Sequence, residues 1–423
     1  MQNTIFWFRN DLRLHDNEAF LEASKAGNVI PVYVFDQRYF DKNFLGFKRT
    51  GLFRTKFLLE AVEDLRRSLQ QKGSDLIVRT GIAEDIIARI AKDVDATAVY
   101  ASKEVTQYET TIEASLSKVL KPLNIEIELI WSATLYHARD LPFQINFLPP
   151  VFSDFRKKIE RATKIRKTFD TPGQLPAMEQ IEPGNIPTFQ DLGFDTVPEI
   201  DARTAFNFIG GETAGLARLN DYLWQKDLLR SFKETRNGLI GADFSSKLSP
   251  WLSLGCISPR MVYEEVKRYE AEVVNNESTY WLIFELLRRD FFHFAALKYG
   301  TRMFKASGVK NDLLRKWSRH RPTFDTWVNG ETGIPFIDAS MTEAKLTGYL
   351  SEAGREAVAA YLVKDLGIDW TWGATYFESI LIDYDVCSNW GNWNAIADND
   401  KTEIVNETDT IEQQQEYIKL WLA

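Results

Sequence analysis

The chain is poor in cysteine and histidine. Among its 423 residues there are only two cysteines, Cys256 and Cys387, and four histidines, His15, His137, His293 and His320. Two cysteines support no disulfide framework. Histidines scattered this widely predict no clustered His/Cys metal site, and no metal is expected. No apolar run approaches the roughly 18 residues needed to cross a bilayer, so no membrane association is expected. Arg9, Asp11 and Arg13 fall where a secretory signal needs its apolar stretch, which points to a cytoplasmic protein. Neither a G-x-G-x-x-G nor a Walker-type loop is present, so a standard dinucleotide or ATP site is unsupported. An excess of basic charge is also missing. The net charge of -9 works against general affinity for a phosphate backbone.

Short apolar runs alternating with amphipathic stretches fill residues 1–133. Strands are predicted at Thr4–Phe8, Val29–Phe35, Asp75–Val78, Ala98–Ala101 and Glu126–Ile130. Between them, helical patterns such as Leu52–Gln71 repeat apolar residues on one face. This alternation predicts an α/β domain with a doubly wound parallel sheet. Residues 134–200 form a long connector: eight of the 14 prolines lie between Pro142 and Pro198. One helix is expected within it, over Pro150–Thr163. Residues 201–423 read as all-α, with helices predicted at Leu216–Trp224, Pro259–Ala271, Tyr280–Leu297, Glu356–Leu366 and Thr375–Ile382. Ser249–Pro250 and Ser258–Pro259 each place a hydroxyl N-cap before a proline. Ten of the 12 tryptophans fall between Trp224 and Trp421, more than core filling alone explains.

Two stretches can carry chemistry. In ADFSSKLSPWLSLGCISPR, Ser245, Ser246, Lys247 and Ser249 lead into a helix N-terminus, a cradle suited to phosphate or pyrophosphate. Simple Ser–Pro capping explains the same residues. In LIDYDVCSNWGNW, Asp383 and Asp385 point to different faces and are not a paired acid–base device. They suit hydrogen bonds from a heterocycle or an arginine; a helix C-terminal turn with Gly391 accounts for the stretch equally well.

These runs, with FWFRNDLRLHDN at the start and TGYLSEAGREAVAAYLVKDLGIDW at Thr347–Trp370, resemble motifs of the photolyase and cryptochrome superfamily, and of its cryptochrome DASH branch in particular. The resemblance is nearly end to end and in order. It implies an N-terminal α/β domain and a helical domain holding a folded FAD. Tyr222, Ser245, Ser246, Lys247, Leu248 and Ser249 would then hold its phosphates and ribityl chain. Glu285 and Arg289 would line the same cavity, Arg355 would pair with Asp383, and Asp385 would lie on the adenine and ribityl side. Asn389 would face the flavin N5, where a protein has its strongest lever on flavin chemistry. The resemblance also implies an electron relay, with Trp393 nearest the flavin, Trp370 between and Trp317 outermost; Trp327 would be a side branch. A folate antenna, methenyltetrahydrofolate, would lie between the domains against Glu104, which is otherwise a plain surface residue.

The chain departs from the family where a repairing member receives a flipped pyrimidine dimer. Arg288 stands for the family's tryptophan in ELLWRD, and Ala395 for the second aromatic wall. In the family's S-N-R-G-R-Q stretch, Glu352, Ala353 and Glu356 replace Asn, Arg and Gln. Stacking on an aromatic contributes about 1–3 kcal/mol per base, and carboxylates repel phosphate. Asp398–Glu416 adds seven acidic residues and a single lysine.

The expected function is therefore a cryptochrome-like blue-light photoreceptor with flavin photoreduction. DNA binding is expected to be weak or absent, limited to single-stranded DNA if any, with an unidentified protein signalling partner. If the chain is an enzyme, it is a deoxyribodipyrimidine photolyase acting on single-stranded DNA, with Arg288 and Tyr349 in stacking roles. A flavoprotein without photochemistry is the third reading.

Overall fold

The computed structural model describes residues 2–178, 181–398 and 411–423. Strand β1 (Asn3–Phe8) is buried continuously from Thr4 to Phe8, as in a sheet covered on both faces. β2 (Asn28–Asp36), β3 (Ile77–Gly81), β4 (Ala96–Ser102) and β5 (Glu126–Ile130) complete an all-parallel sheet of order β3-β2-β1-β4-β5. Helices α1 (Glu18–Ala26), α2 (Leu52–Gln71), α3 (Ala83–Asp93) and α4 (Gln107–Leu120) make the crossovers. The third strand begins later than its predicted Asp75–Val78: pairing runs from Val32 opposite Ile77 to Asp36 opposite Gly81. The Asp75 carboxylate holds Arg66 at 2.7 Å and accepts from the Leu76 N–H, which keeps it off the ladder.

The connector contains α5 (Phe152–Ala162). The helical part then runs through α6 (Glu212–Asn220), α7 (Phe232–Thr235), α8 (Ser249–Ser253), α9 (Pro259–Glu272) and α10 (Glu277–Tyr299). It continues with α11 (Arg321–Asn329), α12 (Pro335–Thr347), α13 (Glu352–Ala360), α14 (Trp370–Ile380), α15 (Val386–Asp398) and α16 (Ile411–Leu422). Four of these helices, α6, α10, α13 and α14, start earlier than their apolar patterns suggest. Ser351 caps α13 by accepting from Gly354 N–H, and Asp369 caps α14 by accepting from Thr371 N–H. Ser258 caps α9 as expected, accepting from Met261 N–H at 2.9 Å. Ser249 does not cap α8; it is the helix's first residue, and its hydroxyl donates to Asp383 instead. The acidic tract expected at Asp398–Glu416 lies largely outside the described residues. Among the described residues no helix is long and apolar enough to cross a membrane.

The motif after β1 fastens the sheet to the helices. Asp16, fully buried, accepts from Arg260 at 2.6 and 3.0 Å and from Ser258 at 2.5 Å, while Arg13 donates to Gly255 O at 2.8 Å. Gly255 has φ +63°, and a Cβ there would stand 2.1 Å from Asn10 O, so the close approach requires glycine. A buried ion pair broken on one side leaves an uncompensated charge. Asp16→Asn is therefore expected to lower unfolding free energy by about 3–5 kcal/mol in denaturant titrations; an unchanged midpoint would mean the seam does not depend on this pair.

Candidate functional site

Helix α10 is set by a capping box, with Asn276 and Thr279 satisfying each other's backbone. Spacing of three and four then brings Glu285, Arg288, Arg289 and Phe292 to one face, where they line a cavity of about 410 Å³. Opposite stand Tyr349, Leu350, Glu352, Arg355 and Glu356 at the start of α13. Asp383, Asp385, Asn389, Asn392, Trp393 and Ala395 close it from α15 and the loop before it. The core of the wall is an ion pair: Arg355 Nη2 donates to both Asp383 oxygens at 2.9 and 3.0 Å. Ser249 donates to the same carboxylate at 2.7 Å, and Leu350 O holds Arg355 Nε at 2.8 Å. Burial works to discharge the guanidinium, but the field of Asp383 prevails and holds its pKa above the ordinary value.

Arg289 donates to Ala133 O at 2.5 Å and Leu252 O at 3.3 Å, which ties α10 to the sheet side of the molecule. The Asn389 amide donates to Ala374 O at 3.0 Å, which leaves its carbonyl oxygen as the group available to the cavity. Trp393 is walled in by Phe377, 5.2 Å away edge-to-face, and by Gly373, where a Cβ would lie 2.2 Å from its ring.

Seven of the expected cofactor residues therefore converge: Ser249, Glu285, Arg289, Arg355, Asp383, Asp385 and Asn389. Tyr222, Ser245, Ser246, Lys247 and Leu248 are not among the residues that line this cavity. Lys247, at φ 53°, turns its ammonium over the rings of Phe244 at 3.7 Å and Tyr349 at 4.7 Å. Burial lowers its pKa to about 7. The Tyr222 hydroxyl is buried without a hydrogen bond; Thr235 influences it but stands outside bonding geometry.

At the mouth, Arg288 donates to Glu352 at 3.0 Å and to Asn392 at 3.1 Å, so one guanidinium spans α10, α13 and α15. Glu285 accepts from Trp281 at 3.2 Å and faces Arg236 at 3.3 Å. Its pKa is pushed up to about 7, first by burial and then by Glu352. Four of the five altered positions, Arg288, Glu352, Glu356 and Ala395, border the cavity. Ala353 does not; it packs beside Tyr417 and Trp421 of α16.

The relay tryptophans are graded in depth. Trp393 and Trp370 are buried, whereas Trp317 is partly exposed. Trp370 and Trp317 both donate to Ala306 O, at 3.1 and 2.9 Å. Trp327 sits 6.4 Å from Trp393, edge-to-face. Sequence reasoning gave no role to Trp390, whose ring is 5.7 Å from that of Trp370, although the SNWGNW motif displays it. It also passed over Asn392, Phe377 and Lys364, which line the cavity.

A second cavity, of about 180 Å³, opens where the sheet's strand order reverses between β1 and β4. Arg9, Asn10, Ser102 and Glu104 line it from the sheet, and Arg289, His293, Asp385 and Cys387 from the helices. Glu104 accepts from Asn10 at 3.1 Å, and burial raises its pKa to about 7.

Aromatic and aliphatic walls, an arginine–aspartate pair and the side-chain amides of Asn389 and Asn392 make a cavity suited to a large heterocyclic cofactor bearing anionic groups. Comparison with known proteins agrees. Residues 4–177 match the DNA photolyase family, and residues 281–423 the FAD binding domain of DNA photolyase. Cryptochrome DASH of Gloeobacter violaceus is 47% identical over 429 residues, covering 100% of this chain and 85% of that protein. Its namesake from Synechocystis is 48% identical over 433 residues, covering 99% and 87%. The crystal structure of a Synechocystis cryptochrome superposes with a TM-score of 0.93 at 47% identity, covering 100% of this chain and 89% of that one. An archaeal photolyase from Sulfolobus tokodaii, solved with two FAD molecules, superposes at 0.77 with 28% identity, over 100% and 90%. The chain belongs to the photolyase and cryptochrome family, is similar throughout to cryptochrome DASH proteins, and carries the family's FAD-binding domain.

Asp383→Asn removes the charge that Arg355 needs. FAD retention in the purified protein is expected to weaken at least tenfold, about 1.4 kcal/mol; full retention would show that the pair does not shape the cavity. Glu285 has a raised pKa in the folded chain, so its contribution to stability is complete below its ordinary value of 4.5 and is lost as pH rises toward about 7. Glu285→Gln should therefore flatten the fall of Tm over that window, and a parallel shift without flattening would contradict the assignment.

Proposed function

We propose that the chain is a light-responsive flavoprotein in which flavin photoreduction is retained and dimer repair is lost or much reduced. The observation that carries this reading is the bridge from Arg288 to Glu352 and Asn392 across the cavity mouth. When bound, FAD supplies the absorption of blue light and the capacity to accept an electron. The protein's part is supply and shelter. Trp393 forms the cavity wall and is the first indole able to give up an electron. Trp370 refills it from behind, and Trp317, at the partly exposed end, refills Trp370. Sharing the Ala306 carbonyl orients the last two indoles toward each other's neighbourhood. Trp390 and Trp327 extend this aromatic path on either side. Asn389 offers its amide to the flavin N5 region, and Asp383 with Arg355 fixes the wall around it.

A flipped base has no aromatic floor here: residue 288 is an ion-paired arginine and residue 395 an alanine. Three carboxylates at the rim, Glu285, Glu352 and Glu356, oppose an incoming phosphate. Any DNA association is accordingly weak and confined to single strands. The light signal passes instead to a protein partner. The switch-point cavity is the seat of a folate antenna, methenyltetrahydrofolate, beside Glu104, a reading supported by its position at the reversal of strand order. The solved Sulfolobus tokodaii photolyase holds two FAD molecules, with a light-harvesting cofactor implied for that protein.

Two measurements test this reading. Trp393→Phe should slow light-driven reduction of the oxidised flavin at least tenfold; unchanged kinetics would remove Trp393 from the relay. Protein loaded with fully reduced FAD is expected to leave cyclobutane dimers in single-stranded oligonucleotides unrepaired under illumination. Recovery of thymine absorbance at a useful rate would instead establish a photolyase in which the Arg288 plane serves as a stacking surface. A flavin that does not respond to light at all would leave a non-photochemical binding protein.

A further inference from the structure

Asp385 lines both cavities, and on the switch-point side it meets two residues that no flavin role uses, His293 and Cys387. His293 of α10 and the neighbouring Asp385 and Cys387 at the start of α15 bring one ligand atom each to within 4.8 Å of one another. His293 and Cys387 are buried, at 5% and 1% exposure, and the Asp385 side chain is nearly so.

Within the chain these atoms make ion-pair contacts but no hydrogen bond. His293 Nδ1 is bonded to Arg289 O at 3.1 Å, which fixes the ring and turns Nε2 toward Asp385. A backbone carbonyl on the second nitrogen is the support that metal-bound histidines commonly have. Asp385 Oδ1 accepts from Ser388 N–H at 2.7 Å. Its Oδ2 stands 3.6 Å from His293 Nε2 and 3.7 Å from Arg289 Nη2, too far for a hydrogen bond to either. Cys387 is a free thiol with no hydrogen-bond partner among the described residues. A tetrahedral cation with bonds of about 2.0–2.3 Å separates its ligands by roughly 3.3–3.8 Å, a range that includes the His293–Asp385 spacing.

We propose that His293 Nε2, Asp385 Oδ2 and Cys387 Sγ form a binding site for a zinc-class divalent cation, with its fourth position open to the switch-point cavity. Thiolate, imidazole and carboxylate together favour a borderline-soft ion over magnesium or calcium. As the metal–sulfur bond forms, the Cys387 proton passes to solvent, and no electron changes hands. Two anionic ligands then neutralise the dication, so Arg289 beside Asp385 faces a neutral centre rather than a net positive one. Three protein ligands with one open position form a site that can take a further ligand from the cavity. This inference does not rest on the photoreduction reading, because the metal site and the tryptophan relay share no residue.

The test uses the FAD-loaded protein, stripped of metal and titrated with Co2+, whose tetrahedral thiolate complexes absorb to the red of the flavin. The expected result is one cation per chain with visible bands, displaced by Zn2+. Affinity should fall at least about 100-fold in Cys387→Ala and in His293→Asn, and persist in Cys256→Ala. Bound FAD, read from its own absorption, reports that each variant is folded. Wild-type affinity in Cys387→Ala, or cobalt bound only in octahedral, aquo-like form by the folded wild type, would overturn the site.

Discussion

Asp383 is the group on which the cavity depends. Its buried carboxylate holds Ser249 at the start of α8 and Arg355 in α13 at the same time, from the loop between α14 and α15. A carboxylate taken from water costs several kcal/mol unless a charged partner and further hydrogen bonds offset it. Arg355 and Ser249 do so only if the three elements stay in register. Leu350 O holds the other end of Arg355, so the guanidinium cannot swing away without breaking two contacts. Asp16 plays the same part at the domain seam, where Arg260 and Ser258 converge on one buried carboxylate. Two buried acids thus set the walls: one shapes the flavin cavity, and the other places the sheet against it.

With the interior held in this way, the mouth is free to vary. Arg288 and Arg289 are adjacent in α10 and therefore about 100° apart around the helix. Arg289 reaches inward to Ala133 and Leu252, whereas Arg288 crosses the entrance to Glu352 and Asn392. On the proposed reading, an arginine at residue 288 changes what can enter without disturbing what is held inside. The exposed fraction of the pair, 36% for Arg288 and 48% for Glu352, makes it a modest source of stability. Its effect lies in occupying the space and charge of the entrance.

Much of this could be read from the residues, because it depends on short-range order. Short apolar runs and turn spacing locate four of five strands closely; the third slips because Asp75 finds Arg66, a contact no local pattern reveals. Helix starts at Ser351 and Asp369 were signalled by capping residues, but the apolar periodicity draws attention further along each helix. The cavity residues of α10, α13 and α15 were legible through their family motifs. Lys247 belongs to those motifs too, yet its ammonium lies over the rings of Phe244 and Tyr349 rather than lining the cavity, since motif order does not reveal depth. Least legible were meetings across the chain. Trp390 against Trp370, and His293 against Cys387, arise only when α10, α14 and α15 pack together.

The central claim is that the flavin cavity persists behind an entrance no longer built for a damaged base. Its most direct test is the binding of FAD-loaded protein to single-stranded oligonucleotides with and without a cyclobutane dimer, followed by fluorescence anisotropy in the dark over a range of salt concentrations. The account predicts weak binding that falls with salt and does not distinguish the two strands. A preference of tenfold or more for the dimer, about 1.4 kcal/mol, would show that the entrance still recognises the lesion.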